Sequence, residues 1–235
     1  MSNELLWALM FFLNFISITY VYRTFGKIGL FAWIPISSIL ANIQVVLLVN
    51  LFGYETTLGN IMYAGGFLVT DILSENYGKK DAQKAVKIGF VSMIFTAIIM
   101  KIAVSFTPSA VSEGQEYFAS LKSVFDFMPR ILLAGLVAYA VSQTHDVWSY
   151  AFWKNKFPSR KFIWIRNNAS TMISQLIDNI IFTTIAFYGV YPFDVLVQIF
   201  LVTYLMKVLV ALFDTPFVYL ATYIKDKRWG KDTAE

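Results

Sequence analysis

LGNIMYAGGFLVTDILSENYGKK, residues 58–80, decides the fold. Its first twenty residues are apolar or small apart from a few polar side chains, Asp71 and Glu75 foremost, and Lys79-Lys80 close it. About 20 such residues in a helix cross the hydrocarbon of a bilayer. A carboxylate there costs several kcal/mol unless it faces a bundle interior, a water-filled cavity or a partner, so Asp71 marks a functional site by default. Gly59, Gly65 and Gly66 read as places where neighbouring helices approach closely. Asp146, Asp178 and Asp214 sit in apolar runs of the same kind.

The whole chain agrees with that segment. Of its 235 residues 57% are hydrophobic, 17% aromatic and only 14% charged, whereas soluble domains carry about 25% charged residues. The length leaves room for six to seven spans and no separate soluble domain, so residues 1–235 read as one integral membrane transport domain. The expected fold is all-α, a polytopic helical bundle. Spans fall at 5–22, 30–52, 58–77, 85–106, 127–153, 163–187 and 193–224. The last is interrupted by Asp214-Thr215-Pro216, where a proline should kink or tilt the helix. Residues 107–124, with Glu113 and Glu116, read as the one long loop. Residues 1–4 carry no basic region, so the first run is expected to be retained and not cleaved.

Cysteine is absent and His145 is the single histidine, which excludes disulfides, thiolate chemistry and cysteine zinc sites; no metal site and no cofactor are expected. The net charge of +4 implies no direct contact with nucleic acid, because the basic residues are topology determinants. They fall in alternate loops: Arg23 and Lys27, Lys79 to Lys87, Lys154 to Arg166, and Lys225 to Lys231, against Lys122 alone on the other side. The positive-inside rule then places the N-terminus outside and the C-terminus in the cytoplasm. Trp7, Trp33, Trp153, Trp164 and Trp229 near span ends fit an interfacial belt. Lys101 and Arg130 lie near outer ends, where snorkelling accounts for them. Lys207 is deeper.

Measured from the cytoplasmic boundary, the four aspartates lie roughly 12 to 18 Å deep at a rise of about 1.5 Å per residue. A shared depth is what a midplane binding site requires. Polar partners recur at helical spacing: Glu75 after Asp71, Ser142 and Gln143 before Asp146, Ser174 and Gln175 before Asp178, with Asn167, Asn168, Ser170 and Thr171 further back. The expected substrate-binding set is therefore Asp71, Glu75, Gln143, Asp146, Gln175, Asp178 and Asn168. Lys207 and Asp214, about two turns apart on one helix face, are expected to form a structural or coupling pair. The isolated amides Asn14, Asn42, Gln44 and Gln198 read as glue between helices, and His145 serves as well in structure as in proton relay.

Thr70-Asp71-Ile72-Leu73-Ser74-Glu75-Asn76-Tyr77-Gly78, Ser142-Gln143-Thr144-His145-Asp146, Ala169-Ser170-Thr171 with Gln175 and Asp178, and Lys207 with Asp214-Thr215-Pro216 resemble the queuosine precursor transporter family in order and spacing. The resemblance runs from about residue 58 to 223. Gln175 stands where an Asn is frequent in proteobacterial members, and Glu75 is not universal. The resemblance implies a bacterial inner-membrane importer of 7-deazaguanine bases, such as 7-cyano-7-deazaguanine or 7-aminomethyl-7-deazaguanine, for tRNA queuosine synthesis. It also implies a bundle like the substrate-binding subunits of vitamin transporters. Such a base offers a ring N–H and an exocyclic amine that one carboxylate accepts together, and a carbonyl that needs a donor. Phe67, Tyr77, Trp148 and Tyr204 are aromatics available to stack on it.

Two other readings stay open at this level: a binding subunit that needs a separate ATPase module, and an intramembrane enzyme. The chain has no Gly-x-x-x-x-Gly-Lys-Ser/Thr loop and no Gly-x-Ser-x-Gly or His-Glu-x-x-His arrangement, so an enzyme is not expected. The expected partners are the small-molecule deazaguanine and membrane lipids. The sequence leaves a homo-oligomer and an ATPase partner open.

Overall fold

The computed structural model describes residues 2–45, 47–109, 112–126, 129–190 and 192–228; Phe127, Trp229 and Lys231 of the sequence reading lie outside them. In chain order the elements are α1 (Asn3–Gln44), β1 (Leu48–Leu51), β2 (Tyr54–Thr57), α2 (Gly59–Asn76), α3 (Lys79–Ala103), α4 (Ser112–Asp126), α5 (Pro129–Lys156), a 3-10 turn (Arg160–Phe162), α6 (Ile163–Phe187) and α7 (Phe193–Arg228).

α1 turns back on itself at Gly26, whose backbone (φ 59°, ψ −141°) is the one non-helical point along it. Asn14 and Ser37 would stand about 35 Å apart on a straight helix. Instead Asn14 donates to the carbonyl of Ile61 at 3.0 Å and Ser37 to that of Met62, adjacent residues of α2. The turn is tight as well: a Cβ on Gly29 would come within 2.6 Å of the Val21 carbonyl oxygen. The expected break between residues 22 and 30 thus falls where the chain reverses.

Two departures from the sequence reading stand out, at residues 48–57 and 107–124. The second run stops at Gln44 and continues as an antiparallel hairpin, Leu48 opposite Thr57, turning through Phe52 (φ 54°) and Gly53 (φ 82°). An apolar run with a two-residue positive-φ turn suits a hairpin, and hydropathy alone cannot tell it from a helix. The hairpin is tied to the N-terminus by Asn3, which donates to the Asn50 carbonyl, and by Glu4, which accepts from the Phe52 amide. Most of the expected loop at 107–124 is helix α4, with most of its described side chains exposed. α7 passes Pro216 as one helix.

α1, α3 and α7 are long and apolar enough to cross a membrane. Their outward faces carry Phe12, Leu13, Phe95, Ile99, Leu201 and Phe213. The interior holds an apolar core, with Phe15, Ile18, Leu30 and Ile72 fully buried, and beside it the charged side chains: Asp71, Asp146, Asp178, Asp214 and Arg166 are all buried, on α2, α5, α6 and α7. Apolar outside and acidic inside is the distribution that lipid demands.

Candidate functional site

The buried polar residues form three tiers along α2, α5, α6 and α7. The tier at the basic end is an ion cluster. Arg166 Nε and Nη2 donate to the two Glu75 oxygens at 2.8 and 2.5 Å, and Nη1 donates to the Phe157 and Ser159 carbonyls. Tyr150 donates to Glu75 at 2.9 Å, and Lys154 Nζ stands 3.8 Å from it. Lys154 also donates to the Ser74 and Glu75 carbonyls, and Lys225 to that of Asn76, so the cations draw the ends of α5 and α7 onto the end of α2. Outside the bundle, Arg160 holds Asp226 in a bidentate pair. The guanidinium keeps that carboxyl below its ordinary pKa.

One turn deeper lies the second tier. Thr171 donates to Asp71 at 3.0 Å, Asn167 donates to Asp214 at 2.7 Å, and Asp146 stands beside Asp71, Ser170, Thr171 and Ser174. Neither Asp146 oxygen accepts a hydrogen bond, nor do Asp71 Oδ1 and Asp214 Oδ2, and the Asn167 amide oxygen is also unpartnered. No Lys or Arg makes an ion pair with these three acids among the described residues.

The third tier, about 10 Å further along α6 at a rise of about 1.5 Å per residue, is built on Asp178. It accepts from Tyr63 at 2.5 Å and from Ser142 at 3.3 Å, and it pairs with Lys207. Asp178, Lys207 and Tyr63 form the floor of a cleft. Asn42, Asn60, Thr183 and Thr203 add polar groups to its wall, and Phe182 and Phe187 add aromatic ones. Val45, Gly59, Phe187 and Ile199 place its mouth at the end of the bundle away from the basic tier. Arg130 caps α6 at that same end through the Ile185 and Tyr188 carbonyls.

The sequence-expected residues therefore divide. Lys207 pairs with Asp178 and not with Asp214, because an acid on a neighbouring helix lies closer than one two turns along its own. The aspartates do not share one depth: Asp71, Asp146 and Asp214 do, and Asp178 lies a tier away. Glu75 is engaged by Arg166, Tyr150 and Lys154, and Asn168 is turned to the Trp164 carbonyl and Thr215. Gln143 accepts from Thr70 while its amide nitrogen stays unpartnered, as does the Gln175 side-chain oxygen. Of the expected binding set only Asp178 lines the cleft. His145 is hydrogen-bonded to Ser174 at 2.9 Å. Among the aromatics, Tyr77 meets Tyr22 and Trp148 stacks on Phe152. Sequence reasoning missed Tyr63, Asn60 and Arg166, and it took Asn42 for packing alone. The one signal for Tyr63 is its place two turns before Asp71 on the same helix.

Residues 57–221 match the family model described as "Putative vitamin uptake transporter". A Bacillus subtilis (strain 168) protein named "Probable queuosine precursor transporter" is 42% identical over 221 residues, covering 94% of this chain and 95% of its own. The chain belongs to the queuosine precursor transporter family. An Escherichia coli (strain K12) protein named "Queuosine precursor transporter" is 27% identical over 85% of this chain and 86% of its own. No solved structure matches. The matched residues run from the end of the hairpin through most of α7 and include every acid of the three tiers. The family is one of transporters, which bears out the transporter reading over the enzyme.

Proposed function

We propose that this protein is a multi-pass importer of queuosine precursors in the bacterial cytoplasmic membrane, and that the base binds in the cleft over Asp178 and Lys207. The transport of queuosine precursors is what the relatives' names state. The observation that carries the site is the buried Lys207–Asp178 pair at the cleft floor. A 7-deazaguanine edge presents a carbonyl acceptor beside two donors. An ammonium next to a carboxylate is its complement, with Lys207 donating to the carbonyl and Asp178 accepting the N–H and amine pair. Tyr63, Phe182 and Phe187 are the aromatics at hand to stack on the ring. Six or seven spans with the N-terminus outside, as the basic residues require, would open the cleft to the exterior, the side from which an importer loads.

Binding of 7-cyano-7-deazaguanine to purified protein tests this reading. Asp178→Asn should weaken binding by about 2 kcal/mol or more, because the donors of the base lose an acceptor and meet an amide N–H. Guanine, which shares the edge, should compete, and adenine should not. Unchanged affinity in Asp178→Asn, or equal competition by adenine, would move the site elsewhere. Uptake by the purified protein alone in proteoliposomes would show that no ATPase module is required.

A further inference from the structure

The second tier has no place in that recognition. Asp71, Asp146 and Asp214 come from α2, α5 and α7 and are between 0% and 1% exposed. The other buried acids each have a cation: Glu75 has Arg166 and Lys154, and Asp178 has Lys207. Three carboxylates without one cannot all stay ionised at this depth, since an unpaired buried charge is neutralised before it is tolerated. The neighbours point to the same missing partner. Asn167 is fully buried, its NH2 is committed to Asp214 and Thr215, and its amide oxygen has no donor. The Gln175 oxygen, one turn from Thr171 on α6, also lacks a donor. Acids with free oxygens beside amides with free oxygens are short of hydrogens. Protonated carboxyls supply them.

We infer that the Asp71–Asp146–Asp214 tier is a proton-binding site distinct from the cleft, and that substrate import is coupled to proton entry through it. The elements packed around the tier supply few competing groups. On α5, His145 is turned to Ser174 and Tyr150 to Glu75; on α6, Arg166 is engaged with Glu75; on α7, Lys207 is engaged with Asp178. On α1, Tyr22 is bonded to Tyr77 and Asn76, and Lys27 to Asp81 of α3; Lys79, Lys80, Lys84 and Lys87 of α3 are exposed. A proton fits this tier better than a larger cation does: the cleft stops at Asp178, and no group of acids with metal-holding geometry occurs among the described residues.

The coupling rests on the reading of the substrate as a queuosine precursor, so the test has one arm that needs no substrate. Infrared difference spectra of purified protein between neutral and alkaline pH should show the carbonyl band of protonated carboxylic acids, diminished in Asp71→Asn, Asp146→Asn and Asp214→Asn. In proteoliposomes, 7-cyano-7-deazaguanine added outside should acidify the lumen, read by an enclosed pH dye, and its accumulation should require an inward proton gradient. Asp146→Asn should keep binding and solute exchange but lose acidification and accumulation. No acid band at neutral pH, accumulation driven by sodium in place of protons, or uptake indifferent to either gradient would overturn the inference. Asp146→Asn losing affinity as fully as Asp178→Asn would also overturn it, by making this tier part of the binding site. If wild type fails to bind the base, the proposed substrate falls while the infrared arm still decides the proton site.

Discussion

Replacing Arg166 with Ala should be the most damaging single change at the basic end of the bundle. The side chain is fully buried and its guanidinium donates four hydrogen bonds, two to Glu75 and two to carbonyls of the segment joining α5 to α6. Breaking a buried pair by removing one partner costs about 3–5 kcal/mol, because the remaining charge is stranded. Lys154, 3.8 Å from Glu75, and the Tyr150 hydroxyl stay behind and soften that loss. The lower end, about 3 kcal/mol, is the expected value. For a chain of this size that is a fall in Tm of roughly 10 °C. Arg166→Lys should recover little, since one ammonium cannot span both carboxylate oxygens and the two carbonyls. Thermal unfolding in detergent of wild type, Arg166→Ala, Glu75→Gln and the double variant Glu75→Gln with Arg166→Ala gives the pairwise term. The double variant should lose clearly less than the sum of the singles. Arg166→Ala melting with wild type, or strict additivity, would refute the ion cluster as the clamp between α2 and α6.

Three further outcomes follow from the fold. Cysteines introduced singly at Glu116 and Phe193 should label with a membrane-impermeant reagent from outside, and ones at Lys80 and Ser159 should not; the reverse pattern would invert the bundle and the direction in which the cleft opens. Gly59→Ala should destabilise by about 1–3 kcal/mol, because its Cβ would come within 2.6 Å of the Ala41 carbonyl oxygen. Gly66→Ala, whose nearest neighbour is 3.5 Å away, should be neutral or better in a melting assay. The Arg160–Asp226 tie should matter only above the acid range: the folded pKa of Asp226 is lowered, so its contribution is present above the ordinary value and fades as pH falls through the lowered one. Asp226→Asn should therefore melt slightly below wild type near neutral pH, by no more than about 1 kcal/mol for so exposed a pair, and the difference should vanish at strongly acidic pH.

The bundle was legible because lipid leaves a chain so few options. Runs of apolar residues, basic flanks and stray acids mark the helices and the buried faces without reference to a partner. What stayed hidden depends on which helices meet. Lys207 has Asp214 two turns along its own helix and Asp178 on the next one, and no spacing rule chooses between them. Arg166 reads as one more cytoplasmic cation because it follows Arg160 and Lys161; only the packing of α5 and α7 on both α2 and α6 sets it on Glu75. Tyr63 and Asn60 are lost among aromatic and small residues of α2 until the cleft gathers them with α6 and α7. The hairpin at 48–57 is missed for a different reason, since its first strand continues an apolar run and only the backbone at Phe52 and Gly53 separates it.

The two deeper tiers are joined by the same pair of helices. Lys207 to Asp178 and Asn167 to Asp214 are both bonds between α6 and α7, seven residues apart on α7. A base that takes the Asp178 oxygens competes with Lys207 for them, and Lys207 must then find the carbonyl of the ligand in place of its acid. On the proposed reading that exchange would weaken the α6–α7 tie at the cleft floor and shift load onto the Asn167–Asp214 bond two turns below. Asn167 can donate to Asp214 whether or not the acid is protonated, but the bond is stronger to the charged form. Protonation and ligand binding at the two proposed sites would therefore act on one helix interface through two bonds that each can loosen, and a shared two-state element is the physical requirement for coupling between separate sites.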